Sequence, residues 1–177
     1  MDQQLTDIDP GISENALKSF KAVLSKPGDI YKLFFLFTKR LNKFFQISRS
    51  SLIIYSKQDN KLKVIAMKGL KGARKGLTLT LPENNSLLYK IFEDGQFYIQ
   101  HNLKNFEGNF IEEKILKDRS AQSLVVLPIR QDNKRCGLVC FSSPNQNAFT
   151  AFESSKMNEI LDYFGKNLII KIPTSCV

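Results

Sequence analysis

Residues 123–143 read SLVVLPIRQDNKRCGLVCFSS. Two apolar runs, 123–129 and 135–141, surround the polar stretch RQDNK, which is the pattern of a β-hairpin. Both runs are apolar at successive positions, not only at alternate ones. This part of the sheet is therefore expected to be covered on both faces.

On the C-terminal side, Thr150 and Glu153 have capping-box spacing just ahead of an apolar run. Met157, Ile160, Leu161, Phe164 and Leu168 then repeat at helical spacing, and Pro173 ends the helix. On the N-terminal side, LTLTL (77–81) alternates as a strand that Pro82 ends. Ser86 is placed to cap a short helix over 87–94, with Gly95 as its stop and QFYIQ (96–100) as the next strand. Residues 101–120 read as polar and irregular, with one helical turn around 111–117. SSLIIYS (50–56) and KLKVIAM (61–67) form a second hairpin across KQDN.

Ahead of the strands, residues 13–24 fit a short amphipathic helix capped by Ser13, with Leu17, Phe20 and Leu24 on one face. Pro27 and Gly28 break it. A longer helix over 29–46 carries the stripe Leu33, Phe37, Leu41 and Phe44, with Phe34 and Phe45 beside it. An apolar face that wide needs more than one partner. Phe34 and Phe45 are therefore candidates for a dimer interface. The whole order predicts an α+β domain: a central antiparallel sheet of about six strands with the N- and C-terminal helices packed on one face. Residues 1–28 form a helical extension, 29–172 the domain and 173–177 a tail.

Composition narrows the function. The 177 residues are 42% hydrophobic and include 14 Phe and 5 Tyr but no Trp, which permits a dry aromatic core. The most apolar run, 31–45, is broken by Lys32, Lys39, Arg40 and Lys43, so no segment has the length of a membrane span. The first ten residues, MDQQLTDIDP, are no secretory signal. The three cysteines point to a reducing compartment: Cys136 and Cys140 on one strand would lie roughly 13 Å apart, beyond disulfide reach. Cys176 falls in the tail. Together these place the chain in the cytoplasm. One His and no paired cysteines leave no zinc site.

The net charge of +9 is spread widely, and only KGLKGARKG (68–76) is dense, with Lys68, Lys71, Arg74 and Lys75. No nucleic-acid-binding motif accompanies it, so the reading favours a solvated basic loop over a nucleic-acid patch. No Ser-His-Asp arrangement, phosphate loop or metal pair appears either. Glu112 and Glu113 read as surface charge. No catalytic residue is assigned, and the chain is expected not to be an enzyme.

The element order and certain residues resemble the GAF family of sensory domains. Ser123, Pro128, Gly137, Phe149 and Glu153 fit the family's pattern, and residues 77–100 look like its middle segment. The likeness covers about residues 29–172. One departure is that Asn84, Asn85 and Ser86 stand where the family often has Gly ahead of the middle helix. The resemblance implies a small-molecule pocket between one sheet face and the loops over it, or a ligand-free dimerisation unit. In members that reduce free methionine sulfoxide, acidic groups stand at the positions of Leu124, Cys140 and Ser142, and a catalytic Cys precedes Ser123. Here the loop reads LKDRSAQ. Cyclic-nucleotide and bilin signatures are likewise unmatched, NKFF (42–45) lying in the early helix.

By strand alternation the expected pocket floor is Ile53, Tyr55, Leu124, Val126, Leu138, Cys140 and Ser142. Tyr98, His101, Asn102 and Arg119 are the candidate polar contacts from the covering segments. Such a set suits a mostly apolar ligand of unassigned identity. The resulting expectation is a sensory or regulatory domain that binds a small molecule and passes its state to a signalling partner. The alternative is a homodimerising interaction module. With no output domain legible, a sensor of this kind works through a partner or belongs to a longer protein, although Met1 fits a natural N-terminus.

Overall fold

The computed structural model describes residues 13–24, 29–150 and 154–169. Among them, six strands form one fully antiparallel sheet in the order β3-β2-β1-β6-β5-β4. The strands are β1 (Arg49–Ser56), β2 (Lys61–Gly69), β3 (Gly72–Thr80), β4 (Tyr98–Gln100), β5 (Ser123–Gln131) and β6 (Lys134–Ser143). The β5–β6 hairpin lies inside the sheet, as its two-sided hydrophobicity requires. Its turn places Asp132 and Asn133 at φ 48° and 63°, the left-handed pair that matches the twist of flanking strands.

The basic stretch is not a loop. β2 and β3 run through it and leave only Leu70 and Lys71 to turn. Lys68 therefore sits on β2, and Arg74 and Lys75 on the edge strand β3. Cations along an exposed edge also discourage pairing with other strands.

Two helical layers cover the sheet. α1 (Glu14–Leu24), α2 (Ile30–Phe45) and α5 (Ser154–Ile169) pack on one face. α3 (Leu87–Asp94), a 3-10 turn (Leu103–Asn105) and α4 (Phe110–Leu116) pack on the other. The caps are local, and those of Ser13, Ser86 and Gly95 were legible. Ser13 Oγ accepts from Ala16 N–H, Asp29 from Lys32 N–H and Ser86 from Tyr89 N–H, while Gly95 closes α3 at φ 63°. Asn85, standing where glycine was expected, takes φ 51°, a conformation asparagine tolerates better than most residues.

The α1–α2–α5 layer is built from phenylalanine. The Phe37 ring meets Phe20 of α1 at 5.8 Å, Phe141 of β6 at 5.5 Å and Phe164 of α5 at 5.3 Å. Each such buried ring contributes about 1.5–3 kcal/mol by removal from water. The expectation that Phe34 and Phe45 face a second subunit is corrected here: their side chains are 0% and 4% exposed within the chain's own core. α1 and α5 supply the extra partners that the wide apolar face needed.

Of the expected α5 stripe, Ile160, Leu161 and Phe164 are buried. Glu153 of the expected capping box, residues 1–12, Pro27, Gly28 and the 173–177 tail lie outside the described residues, as do the side chains of Leu24, Met157 and Leu168. Thr150 closes a turn on Asn147, its N–H and hydroxyl both donating to that carbonyl. Among the described residues, no helix is long and apolar enough to cross a membrane.

Candidate functional site

The face beneath α3 and α4 can be laid out in cross-strand rows. Met67, Ser51, Cys140, Val126 and Tyr98 are successive partners across β2, β1, β6, β5 and β4. On one side of this row lie Val64, Ile53 and Leu138; on the other lie Arg49, Ser142 and Leu124. Ile53, Leu124, Val126, Leu138 and Cys140 are all buried and belong to one apolar cluster with Leu88, Ile91 and Leu116 of the cover. The structure thus brings together the aliphatic floor expected from alternation. It also adds Ser51, which alternation puts on the face of Ile53 but which was not among the expected residues. Ser51 is 1% exposed, and its hydroxyl has no hydrogen-bond partner among the described residues. A buried, unpaired hydroxyl costs about 1–3 kcal/mol.

The cover is fastened by polar bonds at both ends of α4. Glu112 is fully buried, which corrects its reading as surface charge. One carboxylate oxygen accepts from Leu88 N–H at 3.0 Å and from the Ser86 hydroxyl. The other accepts from Leu87 N–H at 3.0 Å and from Asn109 N–H at 3.1 Å. Glu112 therefore completes its own helix's capping box with Asn109 and also caps α3, where an anion meets free N–H groups and the positive end of the helix. At the other end, Arg49 on β1 donates to the carbonyls of Lys114 at 2.7 Å and Lys117 at 3.1 Å. The Ser142 hydroxyl donates to the Leu116 carbonyl. Ser142, expected to meet a ligand, is committed to holding α4.

The remaining candidates divide. Tyr55 is half-buried, stacked on Phe92 at 5.0 Å, with its hydroxyl donating to Asn60. Tyr98 packs against the cluster, and burial raises its hydroxyl pKa. His101, Asn102 and Arg119 are exposed and do not converge on the floor. The Asn102 side chain instead caps the 3-10 turn by accepting from Lys104 N–H. Burial, and then the nearby Glu112 carboxylate, push the Cys140 thiol far up, which keeps it protonated. Cys140 is a free thiol.

No known family profile matches the chain, and no curated protein matches it. Solved structures do. A GAF domain of a two-component sensor histidine kinase from Bacillus halodurans superposes with TM-score 0.59 at 16% identity, over 89% of this chain and 95% of that one. This chain has the GAF-domain fold.

The GAF fold is shared with proteins of different activities. Free methionine-R-sulfoxide reductase from Neisseria meningitidis, in complex with its substrate, matches with TM-score 0.68 at 13% identity, over 91% of this chain and 94% of that one. The expectation that the chain is not an enzyme, drawn from missing catalytic motifs, is overturned by this neighbour, since the same fold also carries a reductase. A far-red absorbing dark-state protein with bound biliverdin IXa matches with TM-score 0.65 at 15% identity, over 89% of this chain and 99% of that one.

Proposed function

We propose that this GAF fold is a sensory or regulatory domain. In this reading a small molecule binds on the Ser51–Cys140–Val126 floor beneath α4, and α4 carries the bound state to a partner. The observation that carries the reading is the unpartnered Ser51 hydroxyl at the centre of that floor. A ligand polar atom reaching Ser51 would restore the missing hydrogen bond, while Ile53, Leu124 and Leu138 hold an apolar body. Similarity to a substrate-bound reductase and a biliverdin-bound protein supports small-molecule capture on this architecture. The cover already fills the face with its own side chains, so occupancy displaces α4 and strains the bonds of Glu112 to α3 and those of α4 to Arg49 and Ser142. That displacement is the signal.

Native mass spectrometry of the purified protein, compared with its denatured mass, tests the proposal. A captured molecule is expected as extra mass that is lost on denaturation. Ser51→Ala should abolish that mass without lowering the thermal midpoint, because removing an unpaired hydroxyl costs the free protein nothing. Extra mass retained in Ser51→Ala would place the ligand elsewhere.

A homodimer is the second reading, favoured by Phe44, which is 44% exposed beside the Phe20 and Phe45 rings. Phe44→Glu is expected to halve the mass seen by light scattering while leaving the fold intact. An unchanged dimer mass would exclude this contact.

A further inference from the structure

On the helical side of the sheet, a groove of ≈ 400 Å³ runs between α2 and the β2–β3 hairpin. Tyr31, Phe35 and Leu36 form its apolar floor. Lys32 and Lys39 rise from α2 along one wall, and Lys68 and Lys75 from β2 and β3 along the other. Among the described residues, the one acidic lining residue is Asp29, whose side chain is engaged in capping α2.

We infer that this groove docks an acidic segment of a partner protein, one that sets an apolar side chain on the floor between carboxylates. The four ion pairs among the described residues are Lys21–Glu159, Lys61–Glu83, Lys63–Asp59 and Lys117–Glu113, and none uses a groove lysine. Four ammonium groups gathered around one small apolar floor repel one another, and among the described residues the groove holds no carboxylate beyond Asp29. A complementary anionic partner does so and gains association rate as well.

Other occupants fit less well. A second copy, set face to face, would bring its own four lysines against these. A polynucleotide would meet the lysines but leave an aliphatic and aromatic floor without a matched surface. A membrane needs a protruding apolar element, and this surface is concave. An acidic segment with a leucine or phenylalanine matches both the charge and the floor. The inference rests on the reading of the chain as a module that works through a partner, but not on a ligand beneath α4.

The test uses a fluorescein-labelled peptide with two leucines spaced among glutamates, titrated with the full chain and followed by anisotropy. Saturable binding is expected. It should weaken about tenfold or more in the Lys39→Glu, Lys75→Glu double variant, and with peptides whose glutamates become glutamine or whose leucines become serine. Both lysines are exposed, so the variant should melt as the parent does. Binding that is absent, or equal in parent and variant, overturns the inference. So does tighter binding of an oligothymidylate of equal length or of phosphatidylserine vesicles. Mass spectrometry of the same protein reads the α4 site separately, so failure of one leaves the other standing.

Discussion

Glu112→Ala is expected to lower the thermal unfolding midpoint by about 10 °C. The carboxylate accepts four hydrogen bonds from Ser86, Leu87, Leu88 and Asn109 while fully buried. Removing it strands three backbone N–H groups and a hydroxyl at the N-termini of α3 and α4. Losing one partner of a buried charged network costs about 3–5 kcal/mol. For a chain of this size each kcal/mol moves the midpoint by about 2–4 °C. Glu113→Ala is the control. That neighbour is only half-buried and pairs with Lys117 at 2.9 Å, a surface pair whose loss changes stability by about 0–1 kcal/mol. Calorimetry of the two variants side by side decides the matter: equal midpoints would mean that Glu112 does not hold the cover.

Gly137→Ala is expected to cost about 3 kcal/mol, against the usual preference of a strand for alanine over glycine. A Cβ at Gly137 would stand 2.2 Å from the Ile53 carbonyl oxygen and 3.1 Å from the Ile54 Cα. Both are backbone atoms of β1, so no rotamer change relieves the clash. β1 and β6 must separate at the centre of the sheet, where each face carries a core. Gly69→Ala serves as contrast, since its Cβ would meet only the end of the Arg49 side chain at 3.9 Å. Urea unfolding should show a lower midpoint with unchanged slope for Gly137→Ala, and near-parent behaviour for Gly69→Ala. Parent-like stability in the first variant would sink the close-approach argument.

The match between sequence and structure follows the range of the interactions involved. The β5–β6 hairpin, α3 with its Ser86 and Gly95 caps, and the aliphatic floor of the candidate site all depend on periodicity or on groups a few residues apart. These were legible. Ser51 shares the face of Ile53 and Tyr55 by alternation but was passed over because a small polar residue carries no apolar signal. Its significance lies in having no partner, and only the completed fold shows that.

Glu112 illustrates the opposite limit. Two adjacent glutamates in a polar stretch look solvated, and the signal available was Asn109 three residues earlier, a capping-box pair. Even that would have placed Glu112 only on its own helix. Its burial comes from α3, whose Ser86 lies 26 residues away in sequence. Phe34 and Phe45 were misplaced for the same reason, since a helix can show that its apolar face is wide but not which neighbours cover it.

The sequence alone therefore determined most elements and their order, though not the run of β3 through the basic stretch, because hydrophobic spacing and capping act within a turn or two of chain. The tertiary structure decided which carboxylate is interior, which hydroxyl is left unpaired, and which lysines meet. Lys32 and Lys39 share a groove with Lys68 and Lys75 only because the β2–β3 hairpin passes beside α2. Contacts of that range are set by packing the whole sheet at once, and local spacing holds no record of them.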